Sequence, residues 1–432
     1  MSPQRRVRGL YVGFVLLGDS SATGQTLCSI FDGCKDLEIL QVCMDYTAEY
    51  HQSERATVYL SQLRSKLYCF IKNKYRSCDI KEENTGGLVN TSRVAGSPIV
   101  NIARGVLDTL PRDLSEDDYC RLDAFRPEFI YTLGENIATC RMALKLSKRY
   151  DIPIVIHVMD NLEDSFFAHS WVLKPFRCMY LSLNARLFNR SIENIAIGEK
   201  MAQEYSKRHE QPFTIAMNCL DNLHAQPNAS NKQLKLIFSG GIHGGRANTL
   251  QRIAEIIERN AELSNGMELL VYTSPKHVKQ FGSVLIEKSK LMEYVPREKL
   301  FENLGQSDIL LHVESFDERE IEFFRYSMST KIPEYLSVGR PILCFGPKDI
   351  CTVDYIKRKG VGISVDTEEQ VETALLQLLR DKDLREHLGQ RALQVAQEEH
   401  LQEVVAGRVT ETIERIITKW SECNAHRTTR KE

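Results

Sequence analysis

A glycine-rich turn followed by an arginine could bind a pyrophosphate group. The apolar run 234–238 leads into Gly240 and Gly241, two more glycines and Arg246, and a helix is predicted to begin near Asn248. Glycines let backbone N–H groups approach a ligand, a helix N-terminus attracts anions, and a guanidinium donates a planar fork of hydrogen bonds. The pattern also fits an ordinary strand-to-helix turn with a surface arginine.

A second candidate anion site begins at Ser329. There Ser329, Thr330 and Lys331 open a predicted short helix, so hydroxyls, N–H groups and an ammonium are expected to converge. Glu334 lies one turn further, where its carboxylate could accept hydrogen bonds from a ribose diol. It also fits a first-turn glutamate favoured by the helix dipole.

Polar residues also follow a predicted strand in the first half of the chain. The run 154–158 contains His157 and is followed by Asp160. Ligands of open α/β sheets bind at the carboxyl ends of the strands, which favours a catalytic or sugar-contacting role for Asp160. A helix cap is the alternative for Asp160, and His157 alternates toward the interior of its strand.

These candidates stand at the ends of short apolar runs that alternate with amphipathic helices. That alternation predicts parallel sheets covered by helices. The first series comprises residues 11–17, 37–42, 99–102, 129–133, 154–158, 195–197 and 213–217. The second comprises residues 234–238, 269–272, 309–313, 342–345 and 362–365.

The polar stretch 221–233 separates the two series and is typical of a domain linker. We therefore expect an α/β fold of two Rossmann-like domains facing across a cleft, with domain boundaries at 1–225 and 232–405. A last helix at 407–422 carries an apolar face that includes Val409, Ile413 and Trp420.

Composition excludes several classes of protein. The 432 residues include 56 Lys plus Arg and 58 Asp plus Glu, so no basic field indicates nucleic-acid binding. No apolar run reaches the length of a transmembrane helix. The 12 cysteines lack zinc-ligand spacing and lie mostly in apolar stretches, which indicates reduced thiols, no metal site and a cytoplasmic protein.

Two segments permit a membrane-related interpretation. Arg5, Arg6 and Arg8 precede the apolar run 11–17, but the glycines and helical pattern that follow favour a buried strand over a signal peptide. Residues 60–76 combine one apolar helical face with several basic residues. They fit either a core-facing helix with a solvated basic face or a peripheral contact with the inner face of a membrane.

The chain resembles the GT-B glycosyltransferases that use nucleotide-sugar donors, particularly the retaining branch that builds bacterial surface polysaccharides. The supporting segments are FSGG at 238–241 with Arg246, YVP at 294–296, SDIL at 307–310, KIPEYL at 331–336, GRPIL at 339–343 and GVG at 360–362. The resemblance implies a metal-independent hexosyltransferase that needs no cofactor. Its partners would be a nucleotide-sugar donor, such as a UDP sugar, and a glycan or polyprenyl-linked acceptor.

The resemblance also implies roles for single residues. Arg246 would contact the diphosphate, Tyr294 would flank the base, residues 329–331 would cradle phosphate and Glu334 would bind ribose. On the acceptor side it implies a glycine loop and two polar groups, formed by Gly18, Ser20, Gly24, His157 and Asp160. The residues expected to take part in catalysis are Asp160, Arg246 and Lys331, and the last helix would pack back on the first domain.

Two alternatives stand beside this interpretation, and a departure from the family supports the first. Retaining members commonly carry two glutamates separated by seven residues; the second matches Glu334, but the first falls on Tyr326. A catalytically idle GT-B subunit that binds a partner or a glycan is therefore one alternative. A nucleotide-sugar epimerase of the same architecture is the other.

Overall fold

The computed structural model describes residues 5–18, 21–44, 57–59, 98–110, 113–226, 232–242, 245–275, 277–279, 290–292, 295 and 297–429. The chain forms two compact units. Unit 1 comprises Met1–Asn218 with Val405–Glu432, and unit 2 comprises Cys219–Val404. Tyr294, Ser20 and the segment 60–76 lie outside the described residues.

Unit 1 contains a parallel sheet of seven strands in the order β3-β2-β1-β4-β5-β6-β7. The strands are β1 (Val7–Gly13), β2 (Leu37–Cys43), β3 (Thr57–Tyr59), β4 (Phe129–Thr132), β5 (Ile154–Val158), β6 (Asn194–Ala196) and β7 (Phe213–Ile215). The chain leaves β1 toward one edge and returns at β4 toward the other. The switch point of this sheet therefore lies between the carboxyl ends of β1 and β4.

The helices of unit 1 lie between these parallel strands along the chain, because parallel neighbours need long crossover connections. They are α1 (Ala22–Gly33), α2 (Pro98–Thr109), α3 (Glu116–Phe125), α4 (Ile137–Tyr150), α5 (Leu162–Ser165), α6 (Lys174–Phe188) and α7 (Glu199–His209).

Unit 2 contains a parallel sheet of six strands in the order β10-β9-β8-β11-β12-β13. The strands are β8 (Leu234–Ser239), β9 (Met267–Tyr272), β10 (Lys290–Met292), β11 (Ile309–Val313), β12 (Ile342–Phe345) and β13 (Gly362–Val365). Here the strand order reverses between β8 and β11. This is the place where an open α/β sheet binds its ligands.

The helices of unit 2 are mostly amphipathic. They are α8 (Arg246–Arg259), α9 (Ala261–Gly266), α10 (Arg297–Gly305), α11 (Glu318–Phe324), α12 (Lys331–Ser337), α13 (Cys351–Lys359), α14 (Glu368–Arg380) and α15 (Lys382–Val395), which a π-helical turn, Ala396–His400, extends. On α8, Leu250 and Ile253 are fully buried in the core formed with β9 and β11, and Leu375 of α14 joins the same core. Both helices thus turn an apolar face toward this core.

Most predicted strands are confirmed, and three points differ. Residues 99–102 were predicted as a strand but belong to α2, because Pro98 begins a helix that runs on to Thr109. The first strand is Val7–Gly13 rather than 11–17, since Phe14, Val15 and Leu17 are buried residues of the following loop. The short strands β3 and β10 were not predicted.

The last helix, α16 (Gln402–Thr429), packs on unit 1, as predicted. Val409, Ile413 and Ile416 are completely buried. Arg415 forms an ion pair with Glu193, with 2.6 Å between Nη2 and Oε1. The indole Nε1 of Trp420 also donates to the carbonyl oxygen of Asp151 at 2.9 Å, and the Sγ of Cys34, the C-cap residue of α1, lies 3.6 Å from the carbonyl oxygen of Ala406. Across the described helices, none is long and apolar enough to span a bilayer.

Candidate functional site: the switch point of unit 2

The glycine-rich turn after β8 leads directly into α8. Gly240 donates its N–H to the carbonyl oxygen of Tyr272 at 3.0 Å, and Gly241 is half-buried. Gly245 precedes the helix with a φ of 76°, and a Cβ atom at this position would lie 2.5 Å from the Oγ of Ser315. Glycine is therefore required by both backbone conformation and space. The helix consequently begins at Arg246, two residues earlier than predicted.

Arg246 forms a buried ion pair at the carboxyl end of β11. Its Nη2 lies 2.6 Å from Oε2 of Glu314, and the other carboxylate oxygen, Oε1, lies 2.8 Å from Nε2 of His312. Burial alone would raise the pKa of Glu314, but Arg246 and His312 lower the pKa of that carboxyl to about 2. Glu314 is therefore a carboxylate at neutral pH, and the Arg246 side chain lies at the switch point of the sheet.

Helix α12 carries the second group of predicted residues. The Nζ of Lys331 lies 3.0 Å from Oε2 of Glu334, which is 5% exposed. Ser329 accepts the N–H of Lys331 at 3.4 Å and donates its own N–H to Thr352 at 3.2 Å. Thr330 is the N-cap residue, and its side chain makes no capping hydrogen bond.

Tyr335 ties α12 to the glycine-rich turn. Its buried hydroxyl accepts the N–H of Ser239 at 2.7 Å and lies 3.2 Å from the carbonyl oxygens of Ser239 and Leu311. One hydroxyl thus connects the carboxyl end of β8 and the middle of β11 with the helix that bears Lys331 and Glu334. The predicted donor-side residues Arg246, Lys331 and Glu334 therefore lie on elements that meet at this edge.

Replacement of Tyr335 by phenylalanine tests this connection. The change leaves the buried N–H of Ser239 without its acceptor, so we expect the free energy of unfolding of unit 2 to fall by about 1–3 kcal/mol. Urea denaturation of both proteins measures the difference. A loss below about 0.5 kcal/mol, the range of ordinary surface substitutions, would contradict the role given to this hydroxyl.

The predicted acceptor-side residues of unit 1 are in different environments. His157 is completely buried: its Nε2 donates to the carbonyl oxygen of Ala216 at 2.9 Å, and its Nδ1 accepts from the hydroxyl of Tyr131 at 2.6 Å. Burial lowers the pKa of His157 to about 3, so the imidazole is neutral. Both nitrogens are used inside the sheet, which argues against contact with an acceptor.

Asp160 follows the carboxyl end of β5 and is half-buried. Asn161, not Asp160, is the N-cap residue of α5. Gly18 is exposed with a φ of 87°, and the N–H of Gly24 donates to the Oγ of Ser21, the N-cap of α1, at 3.0 Å.

Comparison with known proteins identifies the fold. No protein family model matches the sequence, and no curated protein matches it. Solved structures do: sucrose-phosphate synthase from Thermosynechococcus elongatus matches over 96% of this chain and 100% of its own, with a TM-score of 0.62 and 10% identity. The chain has the GT-B fold.

Two further structures with the GT-B fold illustrate the range of the similarity. Anabaena HepE, solved in complex with UDP, matches with a TM-score of 0.60 and 10% identity over 95% of this chain and 100% of its own. WaaG, a glycosyltransferase involved in lipopolysaccharide biosynthesis, has a TM-score of 0.54 and 12% identity over 95% of this chain and 99% of its own. The predicted resemblance to nucleotide-sugar glycosyltransferases is thus confirmed at the level of the fold.

Three residues at this edge of the GT-B chain, Glu314, His312 and Tyr335, were not predicted as site residues. Glu314 is a charged residue directly after the mostly apolar strand β11, and that position was the available signal. Its partner Arg246 is 68 residues away, so no local spacing indicates the pair. Within the residues that the structure describes, no three His, Cys, Asp or Glu side chains form a metal site.

Proposed function

We propose that the chain is a glycosyltransferase that moves a hexose-type residue from a UDP or GDP sugar to a glycan or lipid-linked acceptor in cell-surface polysaccharide biosynthesis. In this proposal residues 232–405 bind the donor, and residues 1–225 with 407–422 provide the acceptor side. The observation that carries it is the placement of Arg246 and the glycine-rich turn at the switch point of the second sheet.

The expected chemistry follows from the charges of the described residues. When the sugar leaves, negative charge develops on the nucleoside diphosphate, and preorganised donors lower the energy of that state. Arg246, Lys331 and the backbone N–H groups after β8 are such donors, so the proposed reaction is metal-independent. Glu334 would accept the ribose hydroxyls once phosphate displaces it from Lys331. Asp160 is proposed to contact the transferred sugar or the acceptor.

Several finer parts of the proposal rest on the resemblance. They are the contact of Tyr294 with the base, an acceptor-side loop formed by Gly18, Ser20 and Gly24, and retention of configuration. HepE was solved with UDP-glucose, which supports a UDP sugar as the first donor to test. The proposed enzyme is cytoplasmic, on the basis of the cysteine pattern, and peripheral at the inner membrane face through the basic, amphipathic residues 60–76.

A thermal-shift screen with UDP, GDP, ADP, TDP and CMP tests the donor site. A nucleotide at 100 times its dissociation constant adds about 2.7 kcal/mol of stability, so one nucleotide is expected to raise the melting temperature measurably. Arg246→Ala and Glu334→Ala are each expected to abolish that shift. Arg259→Ala removes the same charge from the far end of α8, where Arg259 pairs with Glu372, and is expected to retain it.

Three outcomes of the screen are informative. A shift that survives Arg246→Ala would contradict the assigned phosphate site. A shift without turnover on any glycan or lipid-linked acceptor would favour the idle-subunit alternative, for which Tyr326 in place of the first glutamate is the supporting observation. A UDP sugar whose configuration changes without an acceptor would identify an epimerase.

A further inference from the structure

Glu314 is held in one position from several sides. Its Oε2 accepts from Arg246 at 2.6 Å and its Oε1 accepts from His312 at 2.8 Å. Its own N–H donates to the carbonyl oxygen of Phe345 at 3.0 Å, and its carbonyl oxygen accepts from the hydroxyl of Thr249 at 3.0 Å. The carboxylate therefore has both oxygens engaged and little freedom to move.

Glu314 is closely packed against Gly346. A Cβ atom at Gly346 would lie 2.7 Å from the Cβ of Glu314, so only glycine fits beside its stem. The side chain of Glu314 is 3% exposed and that of Arg246 is 16% exposed. Because both oxygens of the buried carboxylate are hydrogen-bonded, Glu314 is the fixed member of the pair.

The other cation of the proposed phosphate site is held differently. Lys331 is 34% exposed at its side chain, and its Nζ lies 3.0 Å from Oε2 of the buried Glu334, one helical turn away. Because a lysine ammonium is a flexible point charge, an arriving phosphate can bind it in place of the Glu334 carboxylate. Arg246 instead remains against Glu314 and lies with its Cζ 5.5 Å from the ring centroid of Phe324. Its positive charge is thus balanced before any ligand arrives.

We propose that Glu314 is a positioning residue that orients the Arg246 guanidinium and cancels its charge, so that the site distinguishes a diphosphate from a single phosphate by hydrogen-bond geometry. This inference rests on the proposed function, because it assumes that Arg246 contacts the donor diphosphate. His312 supports Glu314 by donating from Nε2 to the carboxylate oxygen that faces away from Arg246.

Binding of inorganic pyrophosphate and of inorganic phosphate to the full-length protein tests the proposal. Calorimetry at two salt concentrations gives the affinity for each probe and its dependence on salt. Glu314→Gln keeps the shape but removes the charge and directs an amide N–H₂ toward one of the two donors. We expect the preference for pyrophosphate to fall about tenfold, the order of one charge-assisted hydrogen bond, and the salt dependence to become steeper.

Matched variants separate positioning from folding. Arg246→Ala with Glu314→Gln removes both partners, and its preference should equal that of Arg246→Ala alone, since the second change then has nothing to orient. If Glu314→Gln does not fold, the His312→Phe variant is tested instead. It keeps the charge of Glu314 but removes one of the two side chains that donate to its carboxylate. We expect a lower preference for pyrophosphate over phosphate and an unchanged salt dependence. Arg259→Ala should leave both readouts unchanged.

The results distinguish this proposal from the proposed function. A folded Glu314→Gln protein with unchanged preference and salt dependence overturns the positioning role, as does a His312→Phe protein with the preference of the wild type. If Arg246→Ala weakens pyrophosphate in either case, the donor site itself stands. If Arg246→Ala leaves pyrophosphate binding unchanged, the phosphate site and the positioning role both fail.

Discussion

A chain that ends after Val404 is expected to lose the folded structure of unit 1. The truncation removes Val409, Ile413 and Ile416, which are completely buried, together with the Arg415 partner of Glu193. At about 2 kcal/mol for each buried aliphatic side chain, the loss is on the order of 6 kcal/mol, comparable with the whole stability of many domains. Limited proteolysis followed by mass spectrometry should show cleavage throughout unit 1 while fragments of unit 2 persist.

A shorter truncation is the matched control. Ending the chain after Asn424 keeps the buried face of α16 and the hydrogen bond from Trp420 to Asp151, so this protein should resist proteolysis like the full chain. Protection of unit 1 in the chain that ends after Val404 would show that the seven-stranded sheet does not depend on α16. The packing argument would then be wrong, even though the contacts exist.

The parallel strands were the most predictable part of this fold. Strands buried on both faces consist of continuous apolar runs, and β5, β11, β12 and β13 begin and end where the runs do. The run at 99–102 has the same composition, but a short apolar run does not distinguish a strand from a buried helical segment. Pro98, at the first position of α2, was the signal that could have decided it.

The candidate site was predictable only in part, for a physical reason. Glycines before a helix and a hydroxyl-rich helix start are local patterns, so Gly240, Arg246 and Lys331 could be singled out from the sequence. Pairs such as Arg246 with Glu314 form only when distant strands align, and their consequences for charge and orientation have no local signature. Likewise, His157 has the residue type of a catalytic group, but its hydrogen bonds to Tyr131 and Ala216 belong to the interior.

Each sheet presents a buried glutamate near its switch point, and the two carboxyls are in opposite electrostatic environments. Glu314 follows β11 and faces a guanidinium, which holds its pKa low. Glu135 follows β4, and its Oε1 accepts the N–H of Phe14, which follows β1, at 3.0 Å. Its Oε2 is buried with no hydrogen-bond partner among the described residues. An equivalent position therefore stabilises a charge in unit 2 and disfavours one in unit 1.

The wild-type protein is expected to lose stability as the pH rises, and the Glu135→Gln variant is expected to keep it. Burial raises the pKa of Glu135 from 4.5 to about 7, with Asp108 adding to the effect and the N–H of Phe14 opposing it. Between these pH values the unfolded chain ionises while the folded chain keeps its proton. In this range the unfolded state therefore binds fewer protons than the folded state. The free energy of unfolding consequently falls as the pH rises from 4.5 to about 7.

The size of the effect follows from the width of that window. At about 1.4 kcal/mol for each pH unit, the wild type should lose roughly 3 kcal/mol relative to Glu135→Gln between pH 4.5 and pH 7. Urea denaturation of unit 1 at several pH values gives the free energy of unfolding of each protein. The difference between the two values is free of the titration of the other carboxyls, because both proteins share them. Glu38→Gln removes a charge from an exposed position in β2, and its effect should stay within about 0.5 kcal/mol. A wild type that parallels Glu135→Gln across this range would mean that water or another group solvates the Glu135 carboxylate, and that the switch point of unit 1 tolerates a charge as well as that of unit 2 does.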